Sequence, residues 1–247
     1  MQNNMTQSQL FLTQELPVIE VQWVNPTTIL VWFVDKSTVR EDITQRLFNV
    51  IIKELQDTFG LKLVNVVVGF NEILFHFDPN SIKHVDDLSI VRKIINKAIS
   101  LLHKNIQSPL MTEISHHRIG VTFSENYDLP KVAAATERSI SQFIDDFCGL
   151  TFTVMLNGFM PGFPYMSGLP DNLRLPRLAT PRLKVPKGAI AIAEHYCGIY
   201  PQVSPGGWHI LGTTEHVLFD IRQSPPALLQ SGDTVQFFSH SSLHHHD

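Results

Sequence analysis

The sequence predicts two domains in tandem: an α+β sandwich of the split βαβ kind, then a closed or nearly closed β-barrel. Three observations carry this. Residues 20–110 alternate strand-like and helix-like periodicities. Beyond residue 111 the strand-like runs are short and the turn signals many. Between residues 158 and 207 the chain spends eight of its fifteen prolines and seven of its thirteen glycines, the mark of a long, specifically folded set of turns in place of regular secondary structure. With 247 residues, 43% hydrophobic and 17% charged, the chain is neither collagen-like, coiled-coil nor wholly disordered.

Residues 1–17 read as a polar leader without the basic and apolar regions of a signal peptide. The N-terminal domain is expected over 18–110. A β-branched and aromatic segment at 18–34 breaks at Asn25-Pro26, a turn signal. Ile43, Leu47, Val50, Ile51, Leu55 and Phe59 then recur at helical spacing, with Gly60 where a C-cap belongs. Two short apolar runs, 63–68 and 73–77, flank a hairpin turn at Gly69 and Asn71. A second helix starting near Asp86 places Leu88, Val91, Ile95, Ala98 and Leu102 on one face, opposite Arg92, Lys93 and Lys97. Strand, helix, strand, strand, helix suggests both helices on one side of an antiparallel sheet. His76, His84 and His103 are scattered singly and suggest no metal site.

The barrel domain is expected over 111–240. It opens with His116-His117-Arg118 and a strand at 119–123, then turns helical between Leu129 and Phe147, with Ser139 or Ser141 as cap. A strand at 152–156 leads into the proline-rich region. Residues 189–193 alternate alanine with isoleucine, so Ile190 and Ile192 share one face and three alanines the other, both buried. Residues 217–219 and 235–238 read as further short strands. Residues 241–247 are a histidine-containing tail, set aside from metal arguments.

A formal charge of -4 gives the whole chain no electrostatic case for coating nucleic acid or membrane. The uncharged stretch 147–170 holds three prolines and four glycines and is no spanning helix. Cys148 and Cys197 fit neither a disulfide framework nor a zinc spacing, so a reducing, cytoplasmic location is expected. An anion site must be local. Residues 158–207 carry Arg174, Arg177, Arg182, Lys184 and Lys187 against Asp171 and Glu194, a balance of +3 where the remainder sums to -7. Guanidinium forks suit a carboxylate or phosphate. Arg177 and Arg182 converge only if the chain bends at Thr180-Pro181, whereas Arg182 and Lys184 share a strand face without a bend. In the run from Ser204 through Gly206 and Gly207, backbone amides are candidates for an oxyanion, Trp208 for a pocket wall and His209 for proton exchange. Phosphate-loop, dinucleotide, nucleophile-elbow and H-E-x-x-H signatures are missing, which argues against a self-contained ATPase or serine hydrolase.

The motifs G-F-x-P-G-F-P-Y, P-R-x-x-x-P-R-x-x-V-P-x-G and G-I-Y-P-x-x-S-P-G-G-W stand in this chain from Gly158 to Trp208. In order and spacing they resemble the 5-oxoprolinase B-subunit (PxpB) / KipI family, also called allophanate hydrolase subunit 1 or the carboxyltransferase-domain C-subunit family. A weaker resemblance extends over the whole chain. It implies a cyclophilin-like fold for the barrel, whose literal prolyl-isomerase reading carries little weight. It implies a component of an ATP-dependent complex hydrolysing 5-oxoproline to glutamate, inactive alone, with a barrel protein like the 5-oxoprolinase C-subunit and a protein like its A-subunit as partners. ATP is the complex's cofactor, and no metal is implied. Alternatives are a regulatory inhibitor of a sensor histidine kinase and a urea- or allophanate-related carboxyltransferase component. The matching residues are Pro161, Gly162, Tyr165, Arg177, Arg182, Pro186, Gly188, Tyr200, Ser204, Gly206, Gly207 and Trp208. Of these, Tyr165, Arg177, Arg182, Tyr200, Ser204, Gly206, Gly207 and Trp208 are the expected substrate-binding residues, with His209 as catalytic residue. The chain departs from the family where a glycine and a polar pair give way to Glu194, His195, Tyr196 and Cys197, which implies a differently shaped pocket. It departs again at residues 124–130, which lack the usual glycine pair.

Overall fold

The structure, a computed structural model, describes residues 18–34, 41–81, 86–104 and 114–240. The expected leader, the tail and the expected boundary at 110/111 lie outside the described residues. The chain divides into two compact units, Met1–Glu113 and Ile114–Asp247.

In the first unit Ile19–Asn25 (β1) and Thr28–Phe33 (β2) form an antiparallel hairpin. Asn25 Oδ1 accepts the Thr27 N–H at 3.0 Å, tightening the turn around Pro26. Glu41–Phe59 (α1) stops at Gly60, whose φ of +55° suits glycine and ends the helix. Leu63–Val68 (β3) and Glu72–Phe77 (β4) make the second hairpin, and Asp86–Lys104 is α2. The sheet order is β1-β2-β4-β3 with antiparallel neighbours throughout. Strands β2 and β3 therefore run in the same direction with β4 inserted between them, which is the split βαβ arrangement.

Period-two alternation turns Ile29, Val31, Phe33, Ile73, Phe75 and Phe77 to one face. They cluster with Leu47, Phe48, Ile51 and Leu55 of α1 and Val91, Ile95 and Ala98 of α2. Both helices feed one cluster, so both cover the same side of the sheet. An ion pair, Lys97 to Glu54 at 2.8 Å, links them at the surface. The side chains of Ile43 and Leu102, expected on these faces, lie outside the described residues.

In chain order the second unit carries β5 (His116–Phe123), α3 (Leu129–Ala135), α4 (Ile140–Gly149), β6 (Phe152–Asn157), β7 (Pro164–Ser167), β8 (Arg182–Val185), β9 (Ala189–Ala193), β10 (Tyr196–Ile199), β11 (Ser204–Gly206), β12 (His209–Thr213) and β13 (Thr234–Ser239). Seven of them close a barrel in the order β10-β7-β6-β13-β5-β12-β9, while β8 and β11 stand apart as a two-stranded ribbon. The β13–β5 pairing is parallel. Ser139 caps α4: its hydroxyl accepts the Gln142 N–H, and Gln142 accepts the Ser139 N–H in return. That decides between the two serines. Phe143 and Phe147 then stack toward Phe152 and Phe237 in the barrel core.

Two expectations are corrected. The proline-rich region is not merely turns, because β7, β8, β9, β10 and β11 thread through it. In a closed barrel each short strand gains neighbours on two sides and needs no long periodic run, and Pro164 sits at a strand start, where proline is tolerated. Conversely, residues 217–219 make only the single bridge Phe219 to Ala227. Pro225 and Pro226 bring no backbone N–H to extend a ladder there.

Strand β9 separates two cores. Ile190 and Ile192 face the barrel interior, whereas Ala189, Ala191 and Ala193 join Phe163, Val185, Tyr200, Trp208 and Ile210 on the other side. At its start Gly188, at φ +79°, is tied by hydrogen bonds to Tyr200 and Thr214 from both sides of the residue, at 2.7 and 2.9 Å. A side chain there would run into the Thr214 carbonyl oxygen. Gly188→Ala is therefore expected to cost at least about 2 kcal/mol, through left-handed strain and steric overlap. Thermal melts read this, with Gly149→Ala, which faces open space, as a control that does not lower the midpoint.

Candidate functional site

The alanine face of β9 leaves room for large rings. Phe163 is the hub: its ring lies 5.1 Å from Tyr165, 5.0 Å from Tyr200, 5.6 Å from Trp208 and 5.5 Å from Phe159, all edge-on. Tyr165 extends the cluster to Trp208 at 5.7 Å and to Tyr196 at 6.2 Å. Phe163, Tyr200 and Trp208 are buried, Tyr165 and Tyr196 half-buried, and Phe159 is 63% exposed. Phe159 holds a φ of +66°, unusual for a bulky residue, and its ring stands at the rim. Gly162 is fixed by close approach, because a Cβ there would meet Phe219 at 2.7 Å.

The second face of this cluster is polar. Residues 175–178 are pinned at three points: Glu194 N–H to Leu175 O at 2.6 Å, His209 Nε2 to Pro176 O at 2.9 Å, and Leu178 N–H to Gly207 O at 2.8 Å. Arg177 is thereby held between the β9–β10 turn and the start of β12. Its guanidinium meets Glu194 at 3.3 Å, and both side chains are about half exposed. Arg182 is engaged differently. Its Nη2 donates to Asp128 Oδ1 at 2.6 Å and its Nη1 to Trp208 O at 3.3 Å. Asp128 is 2% exposed, and its other oxygen accepts the Ile210 N–H at 2.8 Å.

The charges of both arginines reach Tyr200. Burial pushes the Tyr200 hydroxyl up to about 12, Tyr165 adds to the rise, and Arg177 and Arg182 oppose it. Tyr165 is also raised by burial, with Arg177 opposing. The Tyr200 hydroxyl lies against Gly206, where any side chain would displace it. Gly206 in turn pairs with Arg182 across the ribbon. The chain bend that brings the two arginines to one cluster thus exists.

Of the expected site residues, Tyr165, Arg177, Arg182, Tyr200, Gly206, Gly207 and Trp208 gather here. Ser204 lies at the far end of the ribbon, opposite Val185, with its hydroxyl on the Pro205 carbonyl. His209 does not join them. Trp208 and Ile210 turn to the aromatic cluster, so alternation sends His209 to the opposite face of β12. Its Nε2 is held by Pro176, and its Nδ1 is buried without a hydrogen-bond partner. Lys184 and Lys187 are exposed. Cys197 is fully buried in the barrel core, where desolvation raises its thiol far above the ordinary value, so it is no nucleophile. Sequence reasoning missed Asp128 and Phe163. Asp128 reads locally as a helix N-cap, and nothing near it signals a partner 54 residues away.

The buried ion pair and the raised phenol each have a measurable consequence. Asp128→Asn should destabilise the barrel by about 1–3 kcal/mol, and adding Arg182→Ala should cost far less in that background than alone; urea unfolding of the four-member cycle measures the coupling. For Tyr200, the folded phenol ionises near 12 and an unfolded one near 10. Its contribution to stability is full below pH 10 and is lost as pH rises through about 12. Between pH 9 and 11.5 the wild type should therefore lose more stability than Tyr200→Phe, as read by urea midpoints.

The profile of the family described as carboxyltransferase domain, subdomain C and D, matches residues 19–229. The B-subunit of 5-oxoprolinase from Haemophilus influenzae is 37% identical over 177 residues, 71% of this chain and 78% of that protein. The crystal structure of TTHA0988 superposes with a TM-score of 0.70 at 27% identity, over 87% of this chain and 40% of that one. The K. lactis urea amidolyase superposes with a TM-score of 0.65 over 92% of this chain and 15% of its own; at 17% identity this likeness concerns the fold alone. The present chain thus spans a minor part of both crystallised proteins. With the motifs along 158–208 and the match over 19–229, this chain belongs to the carboxyltransferase subdomain C and D family, among the 5-oxoprolinase B-subunit / KipI proteins.

Proposed function

We propose that the chain is one component of an ATP-dependent 5-oxoprolinase complex, inactive alone, whose aromatic cluster and Arg177 form half of the site for 5-oxoproline. The observation that carries this reading is the half-exposed Arg177 guanidinium on a segment tied through Leu178 to Gly207, next to Trp208 of the aromatic cluster. A small lactam acid presents a flat ring and a carboxylate, and the two halves of this surface suit them. Arg177 is the carboxylate donor in this reading. Arg182 serves the architecture, since Asp128 already occupies its fork.

The rim is open, with Phe159 mostly exposed, so water must be excluded by another protein. That is the role proposed for the partners that resemble the C-subunit and the A-subunit of 5-oxoprolinase. ATP is assigned to the complex as a whole. The task of this chain is to bind and orient the acid. His209, turned away from the cluster, is given no catalytic step. A relative that bears the name of the 5-oxoprolinase B-subunit supports the reading, whereas the urea amidolyase likeness adds only shape.

The test is co-expression with the two partners and assay of ATP-dependent glutamate release. Turnover is expected from the complex and not from this chain alone. Arg177→Gln should lower kcat/KM at least about tenfold, the scale of a lost charge-assisted hydrogen bond, with an unchanged melting midpoint. A complex that forms and turns nothing over sinks the proposal, and recovery of a histidine kinase in place of the partners favours the regulatory alternative.

A further inference from the structure

Both helices of the first unit cover one side of the sheet β1-β2-β4-β3, and its other side carries no second layer from that unit. Cross-strand register orders the open side into three rows. The first row is Glu20, Trp32 and Glu72, the second is Gln22, Leu30, Leu74 and Val67, and the third is Asn25, Thr28, His76 and Asn65. Trp32, Leu30 and Leu74 are half-buried, Val67 is 52% exposed, and Glu20, Glu72 and His76 are exposed. Val24 and Val64, also exposed, add apolar surface at the two edges of the third row. A mostly apolar row thus lies between an acidic row and a polar one.

A sheet face of this kind can stack on its own copy about one of two twofold axes. An axis parallel to the strands lays the first row on itself and sets Glu20 of one copy against Glu72 of the other, where like charges repel. An axis along the second row lays the first row on the third. Leu30 then meets Leu30, Leu74 meets Leu74, the Trp32 ring lies over the small Thr28 side chain, and Glu72 faces His76, each of the last two contacts being made twice. His76 is prepared for that role, because Thr28 Oγ1 lies 3.0 Å from its Nδ1. With the hydroxyl donating to Nδ1, the ring hydrogen sits on Nε2 and is available to a carboxylate. We propose that the open side of this sheet is a contact between two copies of the chain, paired about a twofold axis along the row of Gln22, Leu30, Leu74 and Val67. Four strands about 4.8 Å apart and five residues of about 3.4 Å each give a flat footprint of roughly 300 Å². A standard interface buries about 800 Å² per partner, so this contact is weak and its dissociation lies in the micromolar range.

Sedimentation equilibrium of the full chain, from about 2 to 200 µM, tests this. The wild type should show a monomer–dimer equilibrium. Leu30→Lys together with Leu74→Lys sets cations against their own copies across the axis and should leave the chain monomeric, with a thermal melt as the check on folding. Glu72→Lys and His76→Glu, which alter exposed side chains, should each weaken the dimer at least about fivefold, since each change acts twice across the axis. The two together should restore it to within about twofold of wild type. A wild type that stays monomeric throughout, or a dimer that survives both lysines, overturns the proposal. A double exchange that fails to restore association overturns it too, because the axis along the second row is what brings positions 72 and 76 together.

Discussion

One buried carboxylate ties together the segments that carry the barrel's outer aromatic cluster. Asp128 sits at the entry to α3, almost without solvent, and such a charge is tolerable only with partners. It finds them in Arg182 of the ribbon and in the N–H of Ile210 in β12. Three segments far apart in sequence are joined at one point. Because Arg182 also reaches the Trp208 carbonyl, the same contact settles where the indole backbone runs. The aromatic cluster inherits its position from this anchor.

The second constraint is one of volume. On β9 the alternation of isoleucine and alanine gives a wide residue to the barrel interior and a narrow one to the outer cluster. Phe163, Tyr200 and Trp208 fill the space that the alanines leave. Gly206 plays the same part opposite Tyr200, and Gly162 opposite Phe219. The motif glycines are thus explained by what approaches them, and the proposed ligand-facing arrangement is a consequence of packing before it is one of chemistry.

Much of this was legible in advance. The Asn25-Pro26 turn, both long helices and the two-faced character of 189–193 follow from local periodicity and turn chemistry, which act within a few residues. The short barrel strands were harder to see, since their stability comes from neighbours across the sheet. Asp128 was invisible because its meaning lies in a partner half a domain away. His209 stands on the other face of β12 from Trp208, as period-two alternation requires, and its ring meets the chain one residue from Arg177. Local sequence does not disclose the reach of Glu194 to Arg177, because it depends on three distant contacts that hold 175–178 in place.

The parallel pairing of β13 with β5 has a bearing on how the protein is made. Residues 234–239 must lie beside residues 116–121 for the sheet to close, and they also flank β6. During synthesis β5 emerges with a ladder edge exposed and waits for more than a hundred further residues, and β6 for more than seventy, before the gap is sealed. The nascent barrel therefore stays open to self-association along those edges until β13 has left the ribosomal exit tunnel.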